Sequence, residues 1–297
     1  MAGMAAAFIG VDWGNSNARF MLVSADRTLI EARSGPGIAR LDGAAAIEAA
    51  CFDALDGWPQ VPVIMAGAVG SNIGWHLAPY VKTPATMMTA MARRFEARTR
   101  QFIIFPGVET IRADGLPDVM RGEEIQIFGG IGRDSALVCL PGTHSKWVVV
   151  TDGVITGFHS AMTGELLEII GRNSILLTPK RAPAASASPI FLDGVNAIKT
   201  SVLGLETLLF TVRSRQIAGT LREDATDDYL TGLCIGADIR SALALHTDAR
   251  AVTLIGSPTL TALYASALVA FGIPSRQIDG RDAALAGLTT AYREIFG

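Results

Sequence analysis

In the stretch Phe8-Ile9-Gly10-Val11-Asp12-Trp13-Gly14-Asn15-Ser16-Asn17-Ala18-Arg19-Phe20-Met21-Leu22-Val23, two apolar runs flank a turn made of glycine, asparagine and serine. Short apolar runs on either side of such residues predict a β-hairpin, with Asp26-Arg27 as the next turn. The hairpin tip offers outward-pointing amides, and Gly14 has no Cβ to keep a ligand from the backbone, a combination that suits phosphate oxygens. An ordinary turn needs the same residue types. Asp12 sets this one apart. A carboxylate at the end of a buried strand, beside a phosphate-type turn, repels phosphate unless a cation lies between them, so Asp12 implies Mg²⁺.

A second tip of this kind, Leu140-Pro141-Gly142-Thr143-His144-Ser145-Lys146-Trp147, lies between the apolar runs Ala136–Leu140 and Trp147–Thr151. It offers glycine amides, Thr and Ser hydroxyls and a lysine, the donors a triphosphate requires. The spacing is not that of a Walker loop, which excludes the P-loop NTPases. His144 has no other histidine near it in sequence and is expected to hydrogen-bond within its turn. A third element, Val252-Thr253-Leu254-Ile255-Gly256-Ser257-Pro258, reads as a strand ending in glycine, with Ser257 as N-cap and Pro258 opening a helix. A flat adenine can lie on such a glycine, although a plain strand-to-helix turn has the same residues.

Between these motifs the periodicity predicts a helix over Ala44–Leu55, a buried strand over Val61–Met65, a strand at Ile103–Phe105 and a helix over about Glu123–Phe128. A helix over Thr163–Gly171 follows, then a polar loop over Thr178–Pro189. Helical patterns run through Val195–Thr211 and Tyr229–Leu245, and two more helices cover Leu260–Phe271 and Ala283–Ile295. Strands followed by helices, twice over, give an α/β chain of two similar halves.

Length and composition agree. The 297 residues allow two domains, and 49% hydrophobic with 18% charged residues fits packed α/β structure. A net charge of −3 without a basic cluster excludes a polyanionic partner such as nucleic acid. Cys51, Cys139 and Cys234 stand far apart, which fits core positions in a reducing compartment and no disulfide framework. The uncharged stretches Gly57–Val81 and Ala251–Ser275 are broken by proline, glycine and polar residues, so they read as buried strands and turns rather than membrane spans. The N-terminal run lacks a basic region and leads straight into the first hairpin, so the mature protein is expected to keep it and to lie in the cytoplasm.

Two phosphate-type hairpins and a late strand-glycine-helix, in this order, resemble the actin, hexokinase and sugar-kinase superfamily. Within it the chain resembles the 2-dehydro-3-deoxygalactonokinase family from Ile9 to about Leu288. The blocks that carry the resemblance are Asp12–Arg19, Met65–Trp75 (MAGAVGSNIGW), Met120–Glu124 (MRGEE), Pro141–Val148 and Met162–Leu166 (MTGEL). The resemblance implies a two-domain actin-like ATPase (ribonuclease H-like) fold with a nucleotide cleft. Residues 1–134 would carry the first hairpin and the sugar-acid pocket, and residues 135–297 the second hairpin and the adenosine site. It also implies ATP-dependent phosphorylation of the C6 hydroxyl of 2-dehydro-3-deoxygalactonate, with a small sugar acid as partner. A homodimer is left open.

For such a reaction the nucleotide-binding candidates are Gly14, Asn15, Ser16, Asn17, Arg19, Gly142, Thr143, His144, Lys146, Gly256 and Ser257, with Asp12 as metal ligand. In related kinases the catalytic carboxylate opens the helix before the second hairpin. Here that place is held by Glu123 and Glu124, of which Glu123 matches better as general base. Both could instead simply favour the positive end of their helix. An anionic, hydroxylated substrate needs a cation and polar side chains, which Ser71, Asn72, Trp75, Arg121, Thr163 and Glu165 supply. Trp75 reads equally well as core. Three functions of different class remain: a kinase for this or another sugar or sugar acid, a gluconate or hexose included; an actin-like ATPase acting as chaperone or filament; and a nucleotide sensor.

Overall fold

The computed structural model describes residues 5–87, 92–176, 184 and 186–297. Most of the expected loop Thr178–Pro189 lies outside the described residues. Two compact units divide the chain. One comprises Met1–Ser135, Val150–Phe158 and Gly280–Gly297, and the other Ala136–Val149 and His159–Asp279.

The first unit is built on strands β1 (Ala6–Trp13), β2 (Asn17–Ser24), β3 (Leu29–Pro36) and β4 (Val63–Gly67), with helix α1 (Gly43–Ala54) between the last two. Strand β5 (Tyr80–Lys82) follows, then β6 (Arg93–Ala97), β7 (Arg100–Ile104), β8 (Gly107–Ile111), β9 (Pro117–Met120) and helix α2 (Glu123–Ile131). The main sheet runs β3-β2-β1-β4-β7-β6, and β5-β8-β9 form a small second sheet. Strands β1 and β2 are antiparallel, with Asp12 opposite Arg19, and β1, β4 and β7 are parallel. Alternation along β1 sends Ile9, Val11 and Trp13 into a core with Ile47 and Cys51 of α1. Phe8 faces the other way, toward Ile125 of α2 and Leu288 of α8 (Gly280–Phe296). Asp12 shares the parity of Phe8, so its carboxylate lies on the α2 face of the sheet.

The other sheet is ordered β12-β11-β10-β13-β14, from β10 (Ala136–Leu140), β11 (Ser145–Thr151), β12 (Val154–Ala161), β13 (Val252–Gly256) and β14 (Ser275–Asp279). Only Pro141–His144 join β10 to β11, too short a link for a parallel crossover, so this pair is a hairpin. Strands β13 and β14 run parallel to β10 and to each other, respectively. Both sheets therefore repeat one order: third, second, first and fourth strand, then a further parallel strand. Helices α3 (Thr163–Asn173), α4 (Pro189–Thr200), α5 (Leu205–Ile217), α6 (Thr226–Leu245) and α7 (Pro258–Phe271) complete the second unit.

Each unit contains one helix pair in glycine-mediated contact. A Cβ at Gly129 of α2 would lie 2.0 Å from the Ala283 carbonyl of α8, and one at Gly287 of α8 would lie 2.1 Å from the Ile125 carbonyl. Gly194 of α4 and Gly232 of α6 interlock in the same manner, at 2.3 Å from the Tyr229 carbonyl and 2.0 Å from the Phe191 carbonyl. The three cysteines are buried and unbridged, in line with the sequence reading. Among the described residues no helix is long and apolar enough to cross a membrane.

The structure departs from the sequence reading in places. The pattern over Val195–Thr211 is two helices broken at Ser201–Gly204, with Gly204 as the N-cap of α5. Strand β3 gave no hydrophobic signal because most of its side chains are exposed at the sheet edge. The strand expected over Val61–Met65 is β4, which starts at Val63 and continues to Gly67 before a 3-10 turn over Ala68–Gly70.

Gly287→Ala should force α2 and α8 apart and lower stability by about 1–3 kcal/mol, read from the urea midpoint. An unchanged midpoint would show that the close helix contact is not needed.

Candidate active site

In the first unit, three backbones come into near contact. Gly67 ends β4 with φ 99°, and a Cβ there would sit 2.5 Å from the Trp13 carbonyl oxygen. Gly122 precedes α2 with φ 109°, and its Cβ would lie 3.0 Å from the Gly67 Cα. Both positive φ values favour glycine, and the missing side chains let the start of α2 rest over the ends of β1 and β4. Asp12 and Glu123 are thereby brought into electrostatic contact.

Asp12 is partly buried and pairs with Arg19 at 3.4 Å. Burial pushes its carboxyl above the ordinary aspartate value; the Arg19 guanidinium pulls it down, and the Glu123 charge pushes it further up. In the turn beyond, the Gly14 N–H donates to the Asn17 carbonyl at 2.9 Å, and the Gly14 and Asn15 carbonyls accept from Ile38 and Ala39, both at 3.1 Å. Asn15, Ser16 and Asn17 are exposed. Among the described residues, the Asn15 and Ser16 N–H groups have no backbone acceptor. The turn is held from behind by its carbonyls and presents its amides outward.

Glu123 and Glu124 both reach back to amides before their helix. The Arg121 N–H donates to Glu123 Oε2 at 3.0 Å, and the Gly122 N–H lies 2.9 and 2.7 Å from the two Glu124 oxygens. The difference between them is burial. Glu124 is 1% exposed, and burial, then the Glu123 charge, raises its carboxyl to about 8. Glu123 keeps partial exposure and the neighbourhood of Asp12.

Arg121 lies with its guanidinium 4.2 Å from the Tyr80 ring centroid, and its Nη2 donates to the Ala78 carbonyl at 2.8 Å. Its Nε and Nη1, and the Ser71 Oγ, are buried without a hydrogen-bond partner among the described residues. Gly70 makes room for the guanidinium: a Cβ there would be 2.9 Å from Nη1. Asn72 is exposed. Trp75 is packed in the core with its ring edge-on to Phe52, Phe95 and Phe102, which is the packing role among its two readings.

In the second unit, the Pro141–His144 tip, the start of α3 and the end of β13 converge. The Glu165 N–H donates to the Thr143 carbonyl at 2.9 Å, and a Cβ at Gly164 would meet the Gly142 carbonyl at 2.4 Å. Gly256 lies beside Pro141, whose carbonyl would be 3.5 Å from an added Cβ. Ser257 caps α7, accepting from Leu260 N–H at 3.4 Å, with Pro258 in the first turn. Thr143 and His144 are exposed, and among the described residues the N–H groups of Gly142, Thr143 and His144 have no backbone acceptor.

Several side chains here differ from the sequence expectation. His144 bonds Glu165 of α3, not its own turn. Lys146 is buried and donates to Ser160 Oγ at 2.6 Å, because strand alternation turns it away from the tip. Thr163 is buried and donates to Asp238 at 2.8 Å. The Thr163 and Glu165 side chains thus brace the second tip.

A family model described as 2-keto-3-deoxy-galactonokinase matches residues 12–291. The chain belongs to this family. A Rhizobium meliloti (strain 1021) protein named as a 2-dehydro-3-deoxygalactonokinase, DgoK1, is 37% identical over 97% of each chain. The Escherichia coli (strain K12) 2-dehydro-3-deoxygalactonokinase is 33% identical over 98% of this chain and 99% of its own. A crystal structure from Sinorhizobium meliloti bearing the same enzyme name superposes with a TM-score of 0.89 at 34% identity, over 97% of both chains. Component A of the (R)-2-hydroxyglutaryl-CoA dehydratase of Acidaminococcus fermentans shares the fold, with a TM-score of 0.53 at 12% identity, over 98% of this chain and 99% of its own. The chain thus has the α/β fold expected from its sequence, that of the actin-like ATPases.

The sequence reading missed Asp238 and Tyr264, which join beneath the second tip with Ser145, a buried residue whose hydroxyl it had counted among the donors of the tip. The signal available was an aspartate inside the apolar helical run Cys234–Ile239 (CIGADI), where a charge needs partners.

Glu124 gives a pH test. Its native carboxyl binds a proton up to about 8, while the unfolded chain releases it near the ordinary 4.5. Its contribution to stability is therefore full below 4.5, declines across the window between, and is lost above about 8. Glu124→Gln should flatten the fall in Tm from pH 5 to pH 8.5. Parallel wild-type and variant curves would refute a buried, protonated Glu124.

Proposed function

We propose that this galactonokinase-family protein transfers the γ-phosphoryl group of ATP to the C6 hydroxyl of 2-dehydro-3-deoxy-D-galactonate, giving the 6-phosphate and ADP, in the cytoplasm and with Mg²⁺. The observation that carries the reading is the juxtaposition of Asp12 and Glu123 on one sheet face, next to a turn that presents free amides. Two neighbouring carboxylates, one pushed toward its neutral form, suit a site that gains a cation when loaded. Among the described residues no cluster of three or more His, Cys, Asp or Glu forms a metal cage. That agrees with Mg²⁺, which takes one or two carboxylates and completes its shell with phosphate oxygens and water. Asp12 would hold it, and the ion would neutralise charge on the phosphates.

In the reaction the O6–P bond forms as the bond between phosphorus and the departing ADP oxygen breaks, and the hydroxyl proton passes to Glu123. Glu123 is partly exposed and Glu124 is not, which favours Glu123 as the group that meets substrate. The amides of Asn15, Ser16, Gly142, Thr143 and His144 are the candidate phosphate donors, with Gly14, Asn17 and Arg19 shaping the first turn. Gly256 and Ser257 are the candidate adenosine contacts. The spare Nε and Nη1 donors of Arg121, with the Ser71 hydroxyl, match a sugar-acid carboxylate, and Asn72 is available to substrate hydroxyls.

Coupled ADP detection with a panel of 2-keto-3-deoxy acids and hexoses should show turnover with 2-dehydro-3-deoxygalactonate. Preference for a hexose, or ATP hydrolysis unaffected by any sugar, would overturn the reading. Glu123→Gln should lower kcat by about 10²–10⁴-fold with little change in KM and should abolish the acid limb of the kcat profile. Glu124→Gln should cost far less, because its side chain points roughly 100° away around the helix. Equal small losses for both would remove the base assignment. Asp12→Asn should fold normally yet lose turnover at ordinary Mg²⁺, and wild-type rates there would remove Asp12 from the metal site.

A further inference from the structure

Asp238 sits mid-way along α6, 5% exposed, and accepts hydrogen bonds from side chains of three other segments. The Trp147 indole N–H donates to Oδ1 at 2.9 Å, Thr163 Oγ1 donates to Oδ2 at 2.8 Å, and the Tyr264 hydroxyl donates to Oδ2. Tyr264 is also 3.0 Å from Ser145 Oγ. Because the tyrosine proton points at Asp238, Ser145 is the donor in that bond. The chain of protons therefore runs one way, from Ser145 through Tyr264 to the carboxylate. Ser145, Trp147, Thr163 and Tyr264 are all buried, and no cation pairs with Asp238 among the described residues.

A buried carboxylate without a cation is costly, and removing any of its donors leaves it poorly satisfied. What it joins explains its place. Ser145 and Trp147 begin the strand that leaves the Pro141–His144 tip, Thr163 opens the helix that braces that tip, and Tyr264 lies in the helix that starts at Gly256-Ser257-Pro258. Each segment of this unit assigned to ATP, and the helix that braces its tip, is thus tied to one carboxylate. Asp238 itself is too deep to touch a ligand, and its charge would repel phosphate.

We propose that Asp238 is the positioning residue for the ATP-binding face of this unit, acting through Tyr264 and Thr163 to hold the second tip in register with the adenosine segment. The inference rests on the kinase reading above. Asp238→Asn keeps the volume but carries two donors where only acceptors stood. With its oxygen kept for Trp147, the amide must donate to Tyr264, which reverses the proton chain to Ser145.

The test is calorimetric titration of the full-length protein with MgATP in the absence of sugar acid, alongside steady-state kinetics. Asp238→Asn should weaken ATP binding at least tenfold and raise KM for ATP, with KM for the sugar acid nearly unchanged. Tyr264→Phe, which removes the hydroxyl joining Ser145 to Asp238 but leaves the Trp147 and Thr163 bonds to the carboxylate in place, should shift the same constants by less. Ser188→Ala, which removes the α4 cap, should lower Tm without changing the ATP constant. If Asp238→Asn does not fold, Tyr264→Phe decides. ATP binding within twofold of wild type in the folded variants would overturn the proposal, as would a change in ATP binding by Ser188→Ala that matches theirs. A wild-type protein that fails to bind MgATP would overturn the kinase reading and this inference together. One that binds ATP but does not phosphorylate the sugar acid would overturn the substrate alone, leaving Asp238 to be judged by the variants.

Discussion

The close approach of Trp13, Gly67 and Gly122 is the constraint from which the candidate site of the first unit follows. A side chain at either glycine would meet backbone atoms that belong to a sheet and cannot yield, and both residues adopt φ values that L side chains rarely take. With the glycines in place, the first turn of α2 lies over the ends of β1 and β4. Glu123 is then set beside Asp12, and Glu124 is driven into the interior. Arg121 takes its position from the same turn, since it immediately precedes Gly122 and fits against Gly70. The proposed base, the candidate metal ligand and the proposed substrate cation are thus all located by one backbone contact.

The glycine pairs between helices do related work further from the chemistry. Gly129 and Gly287 bring α2 and α8 to backbone distance, and Gly194 and Gly232 do so for α4 and α6. At these glycines the helices meet backbone to backbone, with little side chain between them to rearrange, so their relative position is defined sharply. In the first unit the helix so held is the one that begins with Glu123. In the second it is the one that carries Asp238. The repeated strand order of the two sheets is thus accompanied by a repeated way of fixing the helix that bears a buried acid.

Much of this was legible from residue order. The hairpin at Asp12–Arg19, the tip at Pro141–His144 and the helix opened by Ser257-Pro258 carry turn and cap residues whose local physics permits few alternatives, and the structure shows each in the expected form. Side-chain direction was harder. Lys146 follows the tip in sequence, yet alternation along β11 sends it to Ser160, and His144 finds Glu165 twenty-one residues away rather than a partner in its own turn. Strand β3 was invisible because its exposed edge position demands no apolar pattern. Asp238 was hidden for the opposite reason: its helix is buried along most of its length, so one acidic residue changes the hydrophobic pattern little, while its partners come from segments 26 to 91 positions distant.

The two units also divide the electrostatics. The first gathers acids: Asp12 and Glu124 both have raised carboxyl values, and each is raised in part by Glu123. Such a group is poorly stable as it stands and is relieved by whatever brings positive charge or accepts a role in proton transfer. The second unit shows the reverse at its exposed tip, where amides and a hydroxyl face outward and the acids are withdrawn into bonds with His144, Thr163 and Tyr264. Donor amides need to be held still more than they need charge, because their hydrogen bonds to phosphate are directional. In the proposed reaction a neutral tip braced by a buried carboxylate would meet that need, whereas an acid pair under mutual repulsion would meet the different need of binding a cation and taking up a proton.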